Sequence, residues 1–280
     1  MTTANRPVHG LAASDDSTYA LFSTMLRLRR FEEKAGMLYA QGTLGTPCPL
    51  GIGREGAIAA IAESLHPGDI FMALGNAPAY DLALGTSLSK AFQNLMPAQS
   101  EPKTPPDVLL RLPAEAHKKM SLDNACSLLA DRSEMLILVA STLGDLANAR
   151  AGLSNRLLPI IVTPSDQKPE SWSDLAPWSV RECDGTDADS LCDTLASVRE
   201  NLASGHGVTA LAVLTPPYVG HACGRSARQA MRRETHDPIA LCRQRLLRSG
   251  SVDEATVAAL EASIRDEVAA VGRAVSLACT

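Results

Sequence analysis

The sequence is poor in aromatic residues: Phe, Trp and Tyr make up 4% of its 280 residues. So few rings leave little with which to stack bases, and a net charge of -5 offers no basic surface to a phosphate backbone. Nucleic acid is set aside as a partner on those grounds. No apolar run approaches the roughly 20 residues needed to cross a bilayer, so no membrane segment is expected. The first dozen residues contain Asn, Pro, His and Gly but no apolar stretch of the kind a secretory leader requires. Cysteine is thinly spread, at Cys48, Cys126, Cys183, Cys192, Cys223, Cys242 and Cys279. No CxxC pair occurs, which removes the common zinc and dithiol motifs. These features read as a cytoplasmic protein with reduced thiols, several of them buried.

What remains is an ordinary globular composition, 45% hydrophobic and 20% charged. Residues 1–16 read as a flexible arm. Thr18–Gln41 reads as a long amphipathic helix, with Leu21, Met25, Leu28 and Phe31 at helical spacing and Arg29, Arg30, Glu32, Glu33 and Lys34 filling the other positions. Gly42 is a stop signal. The stretch LGTPCPLGIG is too rich in Gly and Pro for regular structure, and an Ala-rich helix, Arg54–Leu65, follows it. His66–Asp69 (HPGD) is a turn, and Ile70–Leu74 a buried strand. Residues 97–120 contain five prolines and read as an irregular exposed loop. A short helix is expected over Leu122–Ala130.

Three further apolar runs read as strands: Met135–Ala140, Leu157–Thr163 and Gly207–Thr215. A helix is expected near Asn148–Asn155. Helical and strand patterns alternate, and the strands are continuously apolar. That combination predicts an α/β fold with a parallel sheet covered on both faces. Residues 17–250 form the main domain in this reading, and 251–278 a closing helix. Ser251 and Glu254 suit a capping box, and Val257, Leu260, Ile264, Val268, Val271 and Val275 form one stripe.

Five blocks of this sequence, in order, resemble the α subunit of thiamine-diphosphate-dependent 2-oxoacid and acetoin dehydrogenases. MLRLRRFEEKAGMLYAQGTLG is similar to that family's opening helix, and CPLGIGREGAIAAIAESLHPGD to its next block. NRLLPIIV resembles the strand KLPVIFV. DGTDADSLCDTLASVRENLASGHGVTALAVLT and THDPIALCRQRLLRSGSVDEATVAALEASIRDEVAAV are similar to its last two blocks. The resemblance implies the thiamine-diphosphate-binding fold, a parallel sheet between helices. It also implies an α2β2 heterotetramer with a β-like partner, the cofactor lying at the subunit interface.

In that family the α subunit grips a magnesium-bound diphosphate, which demands cations, hydroxyls or backbone N–H groups, and oxygen ligands for the metal. Histidines move protons at the reacting carbon. The matching positions here are of other types. Pro49 stands for the histidine that follows the cysteine of CH. In GNAPAYDLALG, Gly75 replaces a tyrosine, Asn76 the diphosphate arginine, and Pro78 and Tyr80 two histidines. Ser141, Thr142 and Leu143 align with the GDG of the metal motif GDGxxN. Asp145 and Asn148, in GDLAN, form a shifted metal pair whose interval is three rather than four. The other reading of Asp145 is a helix start near the positive end of the dipole.

His221 falls on the family's GH position, with Val219 where an arginine precedes it. Arg225, Arg232 and Arg233 occupy the region of a phosphorylatable loop, and read as a solvated face. Arg54 and Glu55 match a Gln-Glu pair and read as structural, fixing the helix start. The expectation is therefore a subunit that has lost its own diphosphate, magnesium and catalytic groups and supports a β-like partner. The alternative is a subunit still active in a decarboxylase, carboligase or dehydrogenase complex, or a cleft turned to new chemistry through His221, Tyr80, Asp81 and Cys48.

Overall fold

A computed structural model describes residues 13–44, 51–74, 77–96, 108–111, 118–120, 134–150, 157–216 and 236–278. The apolar runs become the strands of one sheet. They are β1 (Ile70–Leu74), β2 (Val108–Arg111), β3 (Lys118–Met120), β4 (Leu136–Ala140), β5 (Leu157–Pro164), β6 (Ser179–Asp184) and β7 (Thr209–Thr215). Their order is β3-β2-β1-β4-β5-β7-β6. The five strands from β1 to β6 in that order run parallel, while β2 and β3 extend the β1 edge antiparallel.

The strand pleat divides the continuous apolar runs between two layers. Phe71, Ala73, Ile137, Val139, Leu158, Ile160, Val162, Leu211 and Val213 face the larger core. Ile70, Met72, Leu74, Leu136, Leu138, Ala140, Leu157, Ile161, Ala210 and Ala212 face the smaller one. The larger layer carries most of the helices: α1 (Ala13–Ala40), α2 (Glu55–Glu63), α3 (Ala77–Ala83) and α4 (Leu88–Gln93). To these it adds α6 (Ala188–Ala203), α7 (Pro238–Ser249) and α8 (Glu254–Ala278). Among the described residues the smaller layer holds α5 (Leu143–Arg150), through Leu143 and Leu146, with Trp172, Leu175 and Trp178 of the β5–β6 connection.

The periodicity of α1 sets its packing. Leu21, Met25, Leu28, Phe31, Ala35 and Leu38 are buried, and Phe31 meets Phe92 of α4 at 4.7 Å between ring centres. The junction of α2, the β6–α6 turn and α7 is closer still. A methyl group on Gly56 would lie 2.7 Å from the Gly185 carbonyl and 3.0 Å from Pro238 Cβ. Asp184 holds that turn by accepting from Thr186 N–H at 2.8 Å and from its hydroxyl at 2.7 Å. These contacts give a packing reason for the DGTDA and HDPI segments.

Several expectations are corrected. The helix α1 begins at Ala13, inside the stretch read as an arm. Two strands, β2 and β3, lie within 97–120, the stretch read as irregular. Their pairing with β1 is non-local, and the flanking prolines conceal the short apolar run VLL. The helix after β4 begins at Leu143 rather than near Asn148, because Leu143 and Leu146 pack on the sheet at once. The start of α8 is capped by Asp253, whose carboxylate accepts from Thr256 N–H at 2.7 Å, while Ser251 N–H donates to the Ser249 hydroxyl. β6 was not anticipated as a strand at all. The Leu122–Ala130 helix lies outside the described residues.

Candidate functional site

In an open parallel sheet, ligands gather where the connections from two neighbouring strands diverge at their carboxyl ends. Here β1 leads to β2 on one side and β4 leads to β5 on the other, so the divergence lies between β1 and β4. On the β4 side it is lined by Ser141, Thr142 and the first turn of α5. Thr142 and Asp145 form a closed pair there. The Thr142 hydroxyl donates to Asp145 Oδ2 at 2.6 Å and accepts from Asp145 N–H at 3.1 Å. This is a capping arrangement, with the acid placed near the positive end of the helix. Leu143, in the motif's second glycine position, packs into the smaller core. Asn148 lies on α5 three residues after Asp145, and its side chain is outside the described residues.

Tyr80, in place of an imidazole, is buried on α3 with its ring 5.4 Å from that of Phe71. Burial pushes its phenol above the ordinary range, and Arg54 draws it back only in part. The neighbouring Asp81 is also buried and accepts from the Thr86 hydroxyl at 2.7 Å and from Asn94 at 3.2 Å. Asn76, His221, Cys48, Pro49, Arg225, Arg232 and Arg233 lie outside the described residues.

A group of ionisable side chains surrounds the turn that opens α2. Arg29 of α1 contacts Glu55 through Nε. It also donates to both oxygens of Asp237, at 3.2 Å from Nη1 and 3.1 Å from Nη2. Glu55 also accepts from Gly53 N–H at 2.8 Å, and Glu32 accepts from Gly51 N–H at 2.8 Å. Asp237 caps α7 by accepting from Ile239 N–H at 3.0 Å. Burial works against the charge on Arg29, yet the two carboxylates outweigh it and hold the proton more tightly than usual. Burial pushes Glu55 up, and Arg29 pulls it back. Burial pushes Glu32 up to about 8, with the Glu55 charge adding to the effect. Arg54 is 7% exposed, its charge disfavoured by burial, and it makes no ion pair among the described residues.

Arg54 and Glu55 thus open α2 as read, but the burial of Glu32 and the partial burial of Arg29 were missed. The signal was present, since Glu32 follows Leu28 by four residues and so falls on the apolar face of α1. The three described thiols are poor nucleophiles: burial pushes Cys192 and Cys242 up to about 12 and raises Cys183 as well. Among the described residues no three His, Cys, Asp or Glu side chains gather as a metal site. No described helix is long and apolar enough to cross a membrane.

Comparison with known proteins agrees with the resemblance over part of the chain. No family model matches. A 75-residue segment, 27% of this chain, is 40% identical to the pyruvate dehydrogenase E1 component subunit alpha of Rickettsia prowazekii, of which it covers 23%. The same-named protein of Rickettsia conorii is 40% identical over 75 residues, 27% of this chain and 23% of its own. That of Rhizobium meliloti is 41% identical over 56 residues, 20% of this chain and 16% of its own. The matches therefore span less than a quarter of the length of these relatives.

Proposed function

We propose that this chain is an α-type subunit of a thiamine-diphosphate-dependent 2-oxoacid or acetoin dehydrogenase type of complex, kept for its scaffold. It holds no magnesium diphosphate of its own and supports a β-like partner in an α2β2 assembly. The observation that carries the reading is the closed Thr142–Asp145 pair. The carboxylate on the β4 side of the strand divergence, Asp145, is turned onto the first turn of its own helix. A metal-bound diphosphate asks for carboxylate and amide ligands together with a cation or free N–H groups. Ser141, Thr142, Leu143 and the capped Asp145 do not fit that demand. Each charge-assisted bond forgone removes about 1.5–3 kcal/mol. Micromolar affinity amounts to only about 8 kcal/mol in all, so four such losses leave little binding to this chain.

The parts that resemble the family best support the scaffold role. The opening helix, the turn around Gly185 and the α8 stripe are packing elements, and a fold outlasts the site it once carried. Supporting the second reading, a cleft with new chemistry, is Arg54, a buried guanidinium close to Tyr80 that makes no ion pair among the described residues. Co-expression with the β-type chain of a neighbouring reading frame tests the first reading. It predicts co-elution as a heterotetramer in light scattering. A monodisperse monomer in the partner's presence contradicts it.

A further inference from the structure

The two carboxylates that hold the turn before α2 keep different company. Glu55 receives both the Gly53 N–H and the Arg29 guanidinium. Glu32 receives only the Gly51 N–H on Oε1, while its Oε2 is buried with no hydrogen-bond partner. Arg29 is shared between Glu55 and Asp237, and Arg54 forms an ion pair with neither Glu32 nor any other described carboxylate. Among the described residues, Glu32, Glu55 and Asp237 therefore face only Arg29 and Arg54. Fully ionised, the cluster holds one negative charge in excess. An uncompensated buried charge is far more costly than a buried neutral acid, so such a site takes up a proton. Glu32 is the carboxyl with no cation in contact, hence the one that gains most from it.

Asp81, Asp189 and Glu267, on three other elements packed against α1, are committed elsewhere. Asp81 of α3 accepts from Thr86 and Asn94. Asp189 of α6 accepts from Thr18 and pairs with Arg245 of α7. Glu267 of α8 pairs with Arg27 at 3.0 Å. Among the described residues, the charged groups that act on Glu32 are Glu55, Arg29 and Arg54. Its proton also has a mechanical consequence, because the same carboxyl anchors Gly51, and the Gly51 carbonyl accepts from Arg54 N–H at 2.8 Å to close the turn.

We propose that Glu32 is folded as a neutral carboxylic acid, and that this proton latches the Gly51–Arg54 turn. Losing it sets a second buried negative charge beside Glu55 and loosens the turn. The inference stands whether or not the chain supports a β-like partner. Its sign follows from the raised folded value, about 8 against 4.5 for the free group. The stabilisation is fully present below the unfolded value and is lost as pH rises through the folded one.

Difference infrared spectroscopy of the full chain across pH, with amide exchange of Gly51 and Gly53, tests this. The native chain is expected to show the carbonyl stretch of a buried protonated acid at neutral pH, lost as pH passes about 8. The Gly51 amide then exchanges faster than base catalysis alone accounts for. Glu32→Gln keeps the acceptor for Gly51 and removes the proton, so the band and the excess exchange both disappear. Absence of the band from the native chain at neutral pH overturns the proposal, as does its persistence in Glu32→Gln. Equal excess exchange in the two proteins overturns it too. Should Glu32→Gln not fold, the native band and its titration decide alone.

Discussion

Replacing Gly56 by alanine tests the packing account where it is tightest. In an open helix the change is favourable by about 1 kcal/mol, because alanine is the better helix former. At Gly56 the added methyl meets the Gly185 carbonyl at 2.7 Å, Pro238 Cβ at 3.0 Å and the Thr186 carbonyl at 3.3 Å. Two of these are backbone atoms and the third is a ring atom of proline, so none can swing aside. The helix start, the β6–α6 turn or α7 must move, and such overpacking is destabilising by about 1–3 kcal/mol. The net expectation is a loss of about 1–2 kcal/mol, or more if the turn held by Asp184 is disrupted. Gly272→Ala is the internal control. The three atoms nearest its methyl are all Lys34 side-chain carbons, and a lysine chain can swing away. Gly272→Ala should therefore be neutral or stabilising. Urea denaturation followed by the fluorescence of Trp172 and Trp178 reads both variants. Equal midpoints for the two would refute the reasoning, since helix propensity alone would then account for both.

Other expectations are simpler. Arg29→Met leaves Glu55 and Asp237 facing each other in a buried site, and should reduce stability by about 3–5 kcal/mol in the same assay. Asp187 accepts from Ser190 N–H at 3.1 Å and pairs with Arg245 at 2.7 Å, which holds its carboxyl below the usual range. Its contribution is present above the unfolded carboxylate value and lost as pH falls through the folded one, so Asp187→Ala should flatten the acid limb of the stability profile. Cys192→Ser and Cys242→Ser should leave the number of fast-reacting thiols unchanged at neutral pH in a colorimetric thiol titration, since burial holds both thiols protonated.

The central strands were legible because buried parallel strands are continuously apolar, as in MLILVA and LLPIIVT. β6 was not, because SVRECD sits at the sheet edge with mostly exposed side chains and carries no continuous apolar run. β2 and β3 depend on pairing to β1, which local composition cannot reveal. The α5 start was hidden for a related reason: a Ser-Thr-Leu-Gly-Asp sequence reads equally as a ligand turn or as a capped helix. Only the geometry of Thr142 and Asp145 separates the two. The ion cluster was half legible. Asp237 before Pro238 is a recognisable cap, and Glu32 lies on the apolar stripe of α1. That Arg29 joins them to Glu55 follows from how α1, α2 and α7 pack, and that is a tertiary fact.

The account turns on whether this polypeptide grips a metal-bound pyrophosphate. Calorimetric titration of magnesium and thiamine diphosphate into the chain, alone and assembled with its β-type partner, measures that directly. The account predicts no saturable heat from the isolated chain, and in the assembly an affinity that Asp145→Ala leaves unchanged. Saturable micromolar binding that Asp145→Ala abolishes would contradict it.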